Sequence, residues 1–403
     1  MPNQGNVIYD HDRLIHEEMN YNLSELQQLH LNLITTLNIE QKQIYQCIKQ
    51  SVDNDEGQMI FVYGHGGTGK TYLWNTIISS IRSVGKIVLA VASSGIASLL
   101  LPGGRTAHSR FKIPLDINEY STCQIKKETQ LARLVQACSL IVWDEAPMVH
   151  RHCFEALDRT LKDILNQDSN EAIDKPFGGK TLLLGGDFRQ ILPVIESGRK
   201  TDIINATINR SPLWSKCKVF KLKTNMRLLK PNLSEESRKE IETFAQWLLD
   251  VGDGNLHSTS MVINGDESDY IPLPNDLLVP IIHNPINDIV FSVYNDFYKF
   301  HADPKYLRQR AIVTPYNKAT NSINAYALDL LPGYTKTYFG HDSISQTSDQ
   351  VSNHELLYPT EFLNSLKFSG LPDHALHLKI GLSISITPLQ HLSSLWRYQV
   401  HNL

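Results

Sequence analysis

"MIFVYGHGGTGKT", Met59 to Thr71, starts with a short apolar run, passes through four glycines in six positions, and ends on a lysine and a threonine. MIFVYG predicts a short buried strand. The residues after the glycines space Trp74, Ile77, Ile78 and Ile81 as one helix face. Strand, glycine turn and helix together form the opening unit of a parallel α/β sheet. The rhythm repeats along the chain. KIVLAVA (86–92) predicts a strand and GIASLLL (95–101) a helix. LIVWDE (140–145) and TLLLGGD (181–187) predict two more strands, each ending in acid. Between them FEALDRTLKDIL sets Phe154, Leu157, Leu161 and Ile164 on one helix face. In such sheets ligands sit at the carboxyl ends of the strands, so the polar residues at those ends are the candidate chemistry.

The totals set the outer bounds. A chain of 403 residues has room for two domains or three. Hydrophobic residues at 41% and charged residues at 20% describe a globular protein. No apolar run approaches the ~18–20 residues of a membrane-spanning helix, so no membrane partner is expected. The first residues carry no readable secretory or transit signal. Five cysteines, never spaced C-x-x-C, predict reduced thiols in an intracellular compartment. The net charge of -4 argues against wholesale basic attraction to nucleic acid. Gly57 to Leu115, however, contains no acid and carries Lys70, Arg82, Lys86, Arg105, Arg110 and Lys112. That predicts a local positive field for a polyanion.

Gly64–Thr71 fits G-x-x-x-x-G-K-[ST] between a predicted strand and a predicted helix, which is the context the motif requires. Gly64, Gly66, Gly67, Thr68 and Gly69 would turn backbone N–H groups around phosphate oxygens. The following helix adds its positive end. Lys70 would reach the β- and γ-phosphates of ATP, and Thr71 would hold Mg²⁺. Asp144, at the end of its strand, would face that ion. Glu145 would orient and deprotonate a water. A small-molecule kinase has no need of that water-activating acid, whereas an ATPase does. Gln41, one helix upstream, is a candidate for the adenine edge.

GGRTAHSRF (103–111) offers Arg105, Thr106, His108, Ser109, Arg110 and Phe111. Hydroxyls and bases hold phosphates while an aromatic ring stacks on a base, the mixture a single-strand track needs. Phe111 reads equally as that ring or as a core side chain. Ser93 and Ser94 precede a helix, where free N–H groups suit a phosphate. HRHCFE (150–155) has two histidines and one cysteine without a second cluster, too few for a metal site.

After Arg227 the texture changes. KPNLSEESRKE leads into a helix with Phe244, Trp247 and Leu248, which VGDGN (251–255) stops. DLLVPII (276–282) and RAIVTP (310–315), the latter as a strand, open a second α/β set. NKATNSINAYALDLL (317–331) predicts its helix. Residues 340–353 predict a mobile loop.

Gln41, GHGGTGKT, ASSGIASLLL, GGRTAHSRF, VWDEAPM, GGDFRQILPV and NMR occur in the order found in Pif-family DNA helicases. The chain resembles that family from about Leu37 to Leu382, above all the helicase region of Helitron-type transposons. The resemblance implies two RecA-like P-loop NTPase domains with parallel sheets, the second incomplete. They would span 37–228 and 229–403, after a polar leader at 1–36. It implies an ATP- and Mg²⁺-dependent helicase moving 5′ to 3′ on single-stranded DNA, serving repair, recombination and telomere maintenance. Gln190 would sense the γ-phosphate, Asp187 would support the ion or its loop, and Arg189 would be a surface or inter-domain charge. Arg227 would be an arginine finger from the second domain's edge. Ser93, Ser94, Thr106, His108, Arg110, Phe111, Thr314 and Asn317 would line the DNA path. Tyr316 stands where relatives carry a smaller residue. From 383 to 403 the sequence departs from the family's pattern and its later motifs are absent, which predicts impaired unwinding. The alternative is a non-catalytic remnant that binds nucleotide or DNA. A monomer and a nuclear location, inferred from the substrate, complete these expectations.

Overall fold

A computed structural model describes residues 12–165, 175–229, 233–256, 259–263, 266–271, 273–340, 364–365 and 374–382, with backbone alone for 259–263 and 266–270. The predicted loop beyond 340 and the tail from 383 lie outside the described residues. The chain divides into two compact units, Met1–His257 and Ser258–Leu403.

The first unit runs α1 (Arg13–Met19), α2 (Leu23–Thr35), α3 (Ile39–Asp53), β1 (Met59–Gly64), α4 (Lys70–Arg82), β2 (Ile87–Ala92), α5 (Gly95–Ser98), β3 (Arg105–Thr106), α6 (Ala107–Phe111), α7 (Gln130–Ala137), β4 (Cys138–Asp144), α8 (Arg151–Leu165), β5 (Thr181–Gly186), α9 (Lys200–Ala206), β6 (Cys217–Leu222) and α10 (Glu235–Asp253). The six strands form one sheet in the order β3-β2-β4-β5-β1-β6, every pair parallel. Alternation along each strand splits the core between its faces. Leu182 and Leu184 join Phe61, Leu89, Trp143 and the α8 residues Phe154, Leu157, Leu161 and Ile164 on one side. Leu183 joins Ile60, Val62, Val88, Val142 and the α4 residues Leu73, Trp74, Ile77 and Ile81 on the other. The predicted faces of α4 and α8 are therefore the buried ones.

Several local expectations change. The helix expected over 95–101 ends at Ser98, because the chain must turn into Pro102 and Gly103 while burying Leu101. β6 escaped the sequence reading because it is an edge strand whose Lys218 and Lys221 face outward. The segment taken as a polar leader is part of the unit. Glu18 of α1 is buried beside Arg82 and Arg110, and Tyr21 lies under the Arg82 guanidinium, 4.4 Å from ring centroid to carbon. The first unit also runs on to His257, so α10 falls inside it although the expected boundary was 228.

The second unit holds β7 (Thr259–Ile263), β8 (Asp266–Tyr270), α11 (Pro285–Val293), α12 (Phe297–Phe300), α13 (Pro304–Arg308), α14 (Asn317–Leu330), β9 (Lys336–Phe339) and β10 (Ala375–Leu378). Among the described residues its sheets are two antiparallel pairs, β7 with β8 and β9 with β10. The predicted helix at 317 is present as α14. The predicted strand at 310–315 is not: those residues have no regular structure and pair with no strand among the described residues. A parallel strand gains its hydrogen bonds only from a neighbour, so apolar pattern alone cannot make one. Residues 276–282 likewise form a 3-10 turn at Asn275–Leu277 and irregular chain. Among the described residues no helix is long and apolar enough to cross a membrane, and all five cysteines are free thiols.

Candidate nucleotide site

β1, β4 and β5 end side by side, at Gly64, Asp144 and Gly186. The loop from His65 to Gly69 leaves β1 and becomes α4 at Lys70. Gly69 is the N-cap, in the left-handed region at φ 81°, and Gly67 sits at φ 95°. A side chain at Gly67 would be strained by that φ and would also meet Asn225 and Arg227, with Asn225 Oδ1 2.8 Å from the added carbon. The loop therefore offers backbone rather than side chains at the start of a helix, which is an anion cradle. Thr68 Oγ1 closes it by donating to His65 O at 2.8 Å, and the buried Lys70 ammonium donates to Gly64 O.

Gln41 is fully buried. Its Nε2 donates to Thr68 O at 3.2 Å, and its Oε1 accepts from Asn38 N at 3.1 Å as part of a capping box on α3. The amide proposed for an adenine edge thus braces the cradle from below. Glu40, next to it, accepts from Lys223 N at 2.9 Å and Thr224 N at 3.3 Å. Met226 N donates to Gly67 O at 2.9 Å. Those bonds seat Thr224–Arg227 on the phosphate loop, so Arg227 reaches it from within the first unit rather than from a second domain's edge. Sequence singled out Arg227; the bracing by Glu40 and the contact of Asn225 carried no signal.

The acids face the cradle. Asp144 is buried, and burial raises its carboxyl above the usual range; the Trp74 indole, the Glu145 backbone and Lys70 offset this only in part. Burial also raises Glu145, followed by the charge of Asp144, with Lys70 opposing and Asp187 adding. Glu145 Oε2 is buried without a hydrogen-bond partner. Its backbone is left-handed, at φ 52° and ψ 39°, which costs roughly 1–3 kcal/mol for a residue with a side chain. Ser93 holds it there, donating from Oγ to Glu145 O at 2.6 Å while accepting from Trp143 Nε1 at 3.0 Å. Thr71, half-buried, opens the first turn of α4 beside the cradle. Among the described residues no three acidic, histidine or cysteine side chains form a closed metal cage. A hydroxyl, a strand-end carboxylate and an unpartnered carboxylate oxygen beside a phosphate cradle fit Mg²⁺, which binds through few protein ligands plus phosphate oxygens.

Asp187 follows β5 and is buried. Its Oδ1 accepts from Arg189 N at 3.1 Å. Gly185 is required because the Trp74 indole lies where a Cβ would go. Gln190, three residues on, is exposed; its N–H donates to Asp187 O at 3.0 Å. The acid of this turn, rather than its amide, is the group whose charge reaches Glu145.

The expected DNA track is corrected in two places. Phe111 is 0% exposed and stacks on Trp143 at 6.2 Å, so it belongs to the core. Arg110 is buried and ion-paired to Glu18 at 2.5 Å, so it does not face a phosphate. The anticipated positive field shrinks accordingly: Arg82 also faces Glu18, at 3.7 Å, and Lys86 pairs with Asp53 at 3.4 Å. Ser94 Oγ caps α5 and Thr106 Oγ1 caps α6, while Ser93 is engaged as described. His108 is half-buried with Nε2 4.0 Å from Cys153 Sγ, and burial lowers its pKa, so it is a neutral hydrogen-bonding group at pH 7. In the second unit Thr314 Oγ1 pairs with Thr320 Oγ1 at 2.6 Å, Asn317 is exposed at the start of α14, and Tyr316 is 73% exposed.

A glycine cradle at a helix start, a lysine within it, and an acid pair at the end of a neighbouring parallel strand define a RecA-like P-loop nucleotide-binding unit. The family is narrower. The chain belongs to the PIF1-like helicase family, whose model matches residues 36–261, more than half of it. Residues 361–386 match the 2B domain of DNA helicase Pif1, a segment the sequence reading had not separated. The ATP-dependent DNA helicase Pif1 of Campylobacter jejuni is 32% identical over 149 residues, 35% of this chain and 30% of that protein. The ATP-dependent DNA helicase PIF1 of Danio rerio is 29% identical over 201 residues, 50% of this chain and 28% of that protein. The chain thus spans about a quarter to a third of the length of these curated relatives. In fold it is similar to the crystal structure of Pif1 helicase from Candida albicans, with 22% identity, TM-score 0.50, and 85% of this chain and 63% of that one covered. It is also similar to Pif1 in a structure describing DNA unwinding at forked double-stranded DNA by two coordinating helicases, with 19% identity, TM-score 0.52, and 85% and 65% covered.

Proposed function

We propose that this chain carries the motor of an ATP-dependent DNA helicase that couples ATP hydrolysis, with Mg²⁺, to 5′-to-3′ movement along single-stranded DNA. The observation that carries the reading is the gathering of Lys70, Asp144, Glu145, Asp187 and Arg227 around one phosphate cradle. The relatives of the first unit, named ATP-dependent DNA helicases, support it.

In this reading Lys70 binds the β- and γ-phosphates, and Thr71 with Asp144 would hold Mg²⁺, which would supply charge neutralisation for the phosphoryl group. Glu145, its free oxygen facing the cradle, positions the attacking water and takes its proton. Arg227, seated by Glu40 and Gly67, stabilises the charge that develops on the phosphoryl oxygens. Gln190 reports the γ-phosphate from the turn after β5. Ser94, Thr106 and His108 in the first unit and Thr314 and Asn317 in the second contact single-stranded DNA through hydroxyls, amide and imidazole. The chain works as a monomer, in the nucleus, in repair, recombination or telomere maintenance.

The test is phosphate release with and without single-stranded DNA, followed by strand separation on forks carrying a 5′ or a 3′ tail. DNA-stimulated release and unwinding of the 5′-tailed fork alone are expected. Release that no DNA stimulates would refute the motor, and unwinding of the 3′-tailed fork alone would reverse its direction.

A further inference from the structure

Arg189 lies one residue from the proposed sensor, and the nucleotide chemistry makes no use of it. Its backbone N–H donates to Asp187 Oδ1 at 3.1 Å, and its guanidinium stays 3.9 Å from the same oxygen. The guanidinium is taken by Asp253. Nε donates to Asp253 Oδ1 at 2.6 Å and Nη2 to Asp253 Oδ2 at 2.9 Å, a two-pronged fork. The Tyr63 ring lies beside it, 5.3 Å from centroid to guanidinium carbon. At Gly252 a Cβ would come 2.8 Å from Arg189 Cδ, so the arginine stem lies flush on the helix backbone.

Asp253 is the last residue of α10, a helix of 19 residues with no base in its last turn, ended by Gly254 at φ 72°. An acid at the negative end of a helix is locally unfavourable. Helix stability therefore gives no reason for Asp253, whereas Arg189 does. Four residues later the compact first unit ends at His257, and the chain continues into the second unit. One side chain thus spans from the turn that carries Asp187, whose charge reaches Glu145, to the last turn of the helix that ends four residues before the first unit does.

We propose that the Arg189–Asp253 fork is a coupling strut, through which the position of the Asp187–Gln190 turn sets the position of the last turn of α10 and of the chain leaving it. This inference rests on the nucleotide site proposed above and assigns Arg189 and Asp253 as positioning residues, outside the chemistry itself. A partly exposed ion pair adds modestly to folding stability, so the coupling is read in variants whose melting temperature is measured beside the parent's.

The experiment uses the full chain. Amide hydrogen exchange over 250–256 is followed with and without Mg²⁺ and a non-hydrolysable ATP analogue, together with phosphate release. In the parent, nucleotide changes exchange in that turn. In Arg189→Ala the change is lost, while analogue affinity and DNA-free turnover stay within about twofold and the stimulation by single-stranded DNA falls about tenfold. Arg189→Lys, with one donor in place of the fork, falls between. The exchanged pair Arg189→Asp with Asp253→Arg restores both readouts. A nucleotide-dependent change that persists in Arg189→Ala, or an unchanged stimulation ratio, overturns the strut. Failure of the parent chain to bind the analogue removes the nucleotide site, and the strut with it, and so is distinct from failure of the strut alone.

Discussion

Two glycine-rich segments lie at the carboxyl edge of the same sheet, and they came out differently. Gly64–Gly69 takes the backbone form its spacing predicts, a turn from β1 into α4 with Gly67 and Gly69 at positive φ. Gly103–Phe111, read as a DNA track, turns its ring and one of its two guanidinium groups inward: Phe111 stacks on Trp143, and Arg110 pairs with Glu18. The first segment works through backbone N–H groups and φ angles, which the glycine spacing itself encodes. The second would work through side chains, and their direction depends on what packs behind them. A helix far upstream, α1, supplies the carboxylate that draws Arg110 in from 92 positions away, and nothing in GGRTAHSRF announces it.

The contrast is sharpest where the cradle is disarmed. Arg227→Ala is expected to lower phosphate release on the order of 10³-fold, and Lys70→Ala on the order of 10²–10³-fold, with the melting temperature little changed. A normal rate in either variant would break the comparison on the cradle side. Glu40→Ala, which frees Thr224–Arg227 from α3, should lower the rate with nucleotide affinity kept, since it displaces Arg227 without removing it.

On the other segment the expected losses are in stability. Phe111→Ala should cost about 3–5 kcal/mol in denaturant unfolding. Glu18→Ala strands two buried guanidinium groups and should cost about 3–5 kcal/mol. If instead Phe111→Ala unfolds like the parent and loses single-stranded DNA, the ring was a stacking platform after all.

The acid pair gives a pH signature. The Glu145 carboxyl is raised above its ordinary 4.5 by burial first and by Asp144 next. As the base it must be ionised, so turnover should fall on the acid side through a limb lying above pH 4.5. The sign for stability is opposite to that of a salt-bridged acid. A raised folded pKa favours the protonated form, so the charged carboxylate costs stability as pH rises through and beyond 4.5. Glu145→Gln should abolish turnover yet melt no lower than the parent at pH 8, with the gap in its favour narrowing at acid pH. The smallest expected effect is at Arg105, the half-buried arginine of GGRTAHSRF that is not drawn to Glu18. Arg105→Ala should weaken single-stranded DNA binding and reduce its salt slope by about one.

Much of the site was legible because its residues lie next to strand ends. Lys70 and Thr71 follow β1, the acid pair ends β4, and Asp187 follows β5, so a correct strand reading carries them to one edge of the sheet. The sheet's edge strands were not legible. β6 sets its lysines three apart, at 218 and 221, and so lacks the period-two alternation of a strand, and β3 has two residues, too short for any periodicity. In the second unit, residues 276–282 and 310–315 had the apolar character of strands but, among the described residues, no strand pairs with them. The partners of Ser93 were not legible for a related reason. Its hydroxyl stands beside the site, but the Glu145 carbonyl and the Trp143 indole, both some fifty positions away, claim it.

From sequence alone came the parallel α/β class, the faces of α4 and α8, the phosphate cradle, the acid pair and the family. The family came from resemblance, through the order of motifs along the chain; the others depend on local spacing, because periodicity, φ preference and strand-end position are properties of neighbouring residues. The tertiary structure decided that Gln41 braces the loop, that Glu40 seats Arg227, that Glu18 withdraws Arg110 and that Arg189 grips Asp253. Each of these is a charge or hydrogen-bonding group choosing a partner far along the chain, and that choice is made only when burial removes water as the alternative.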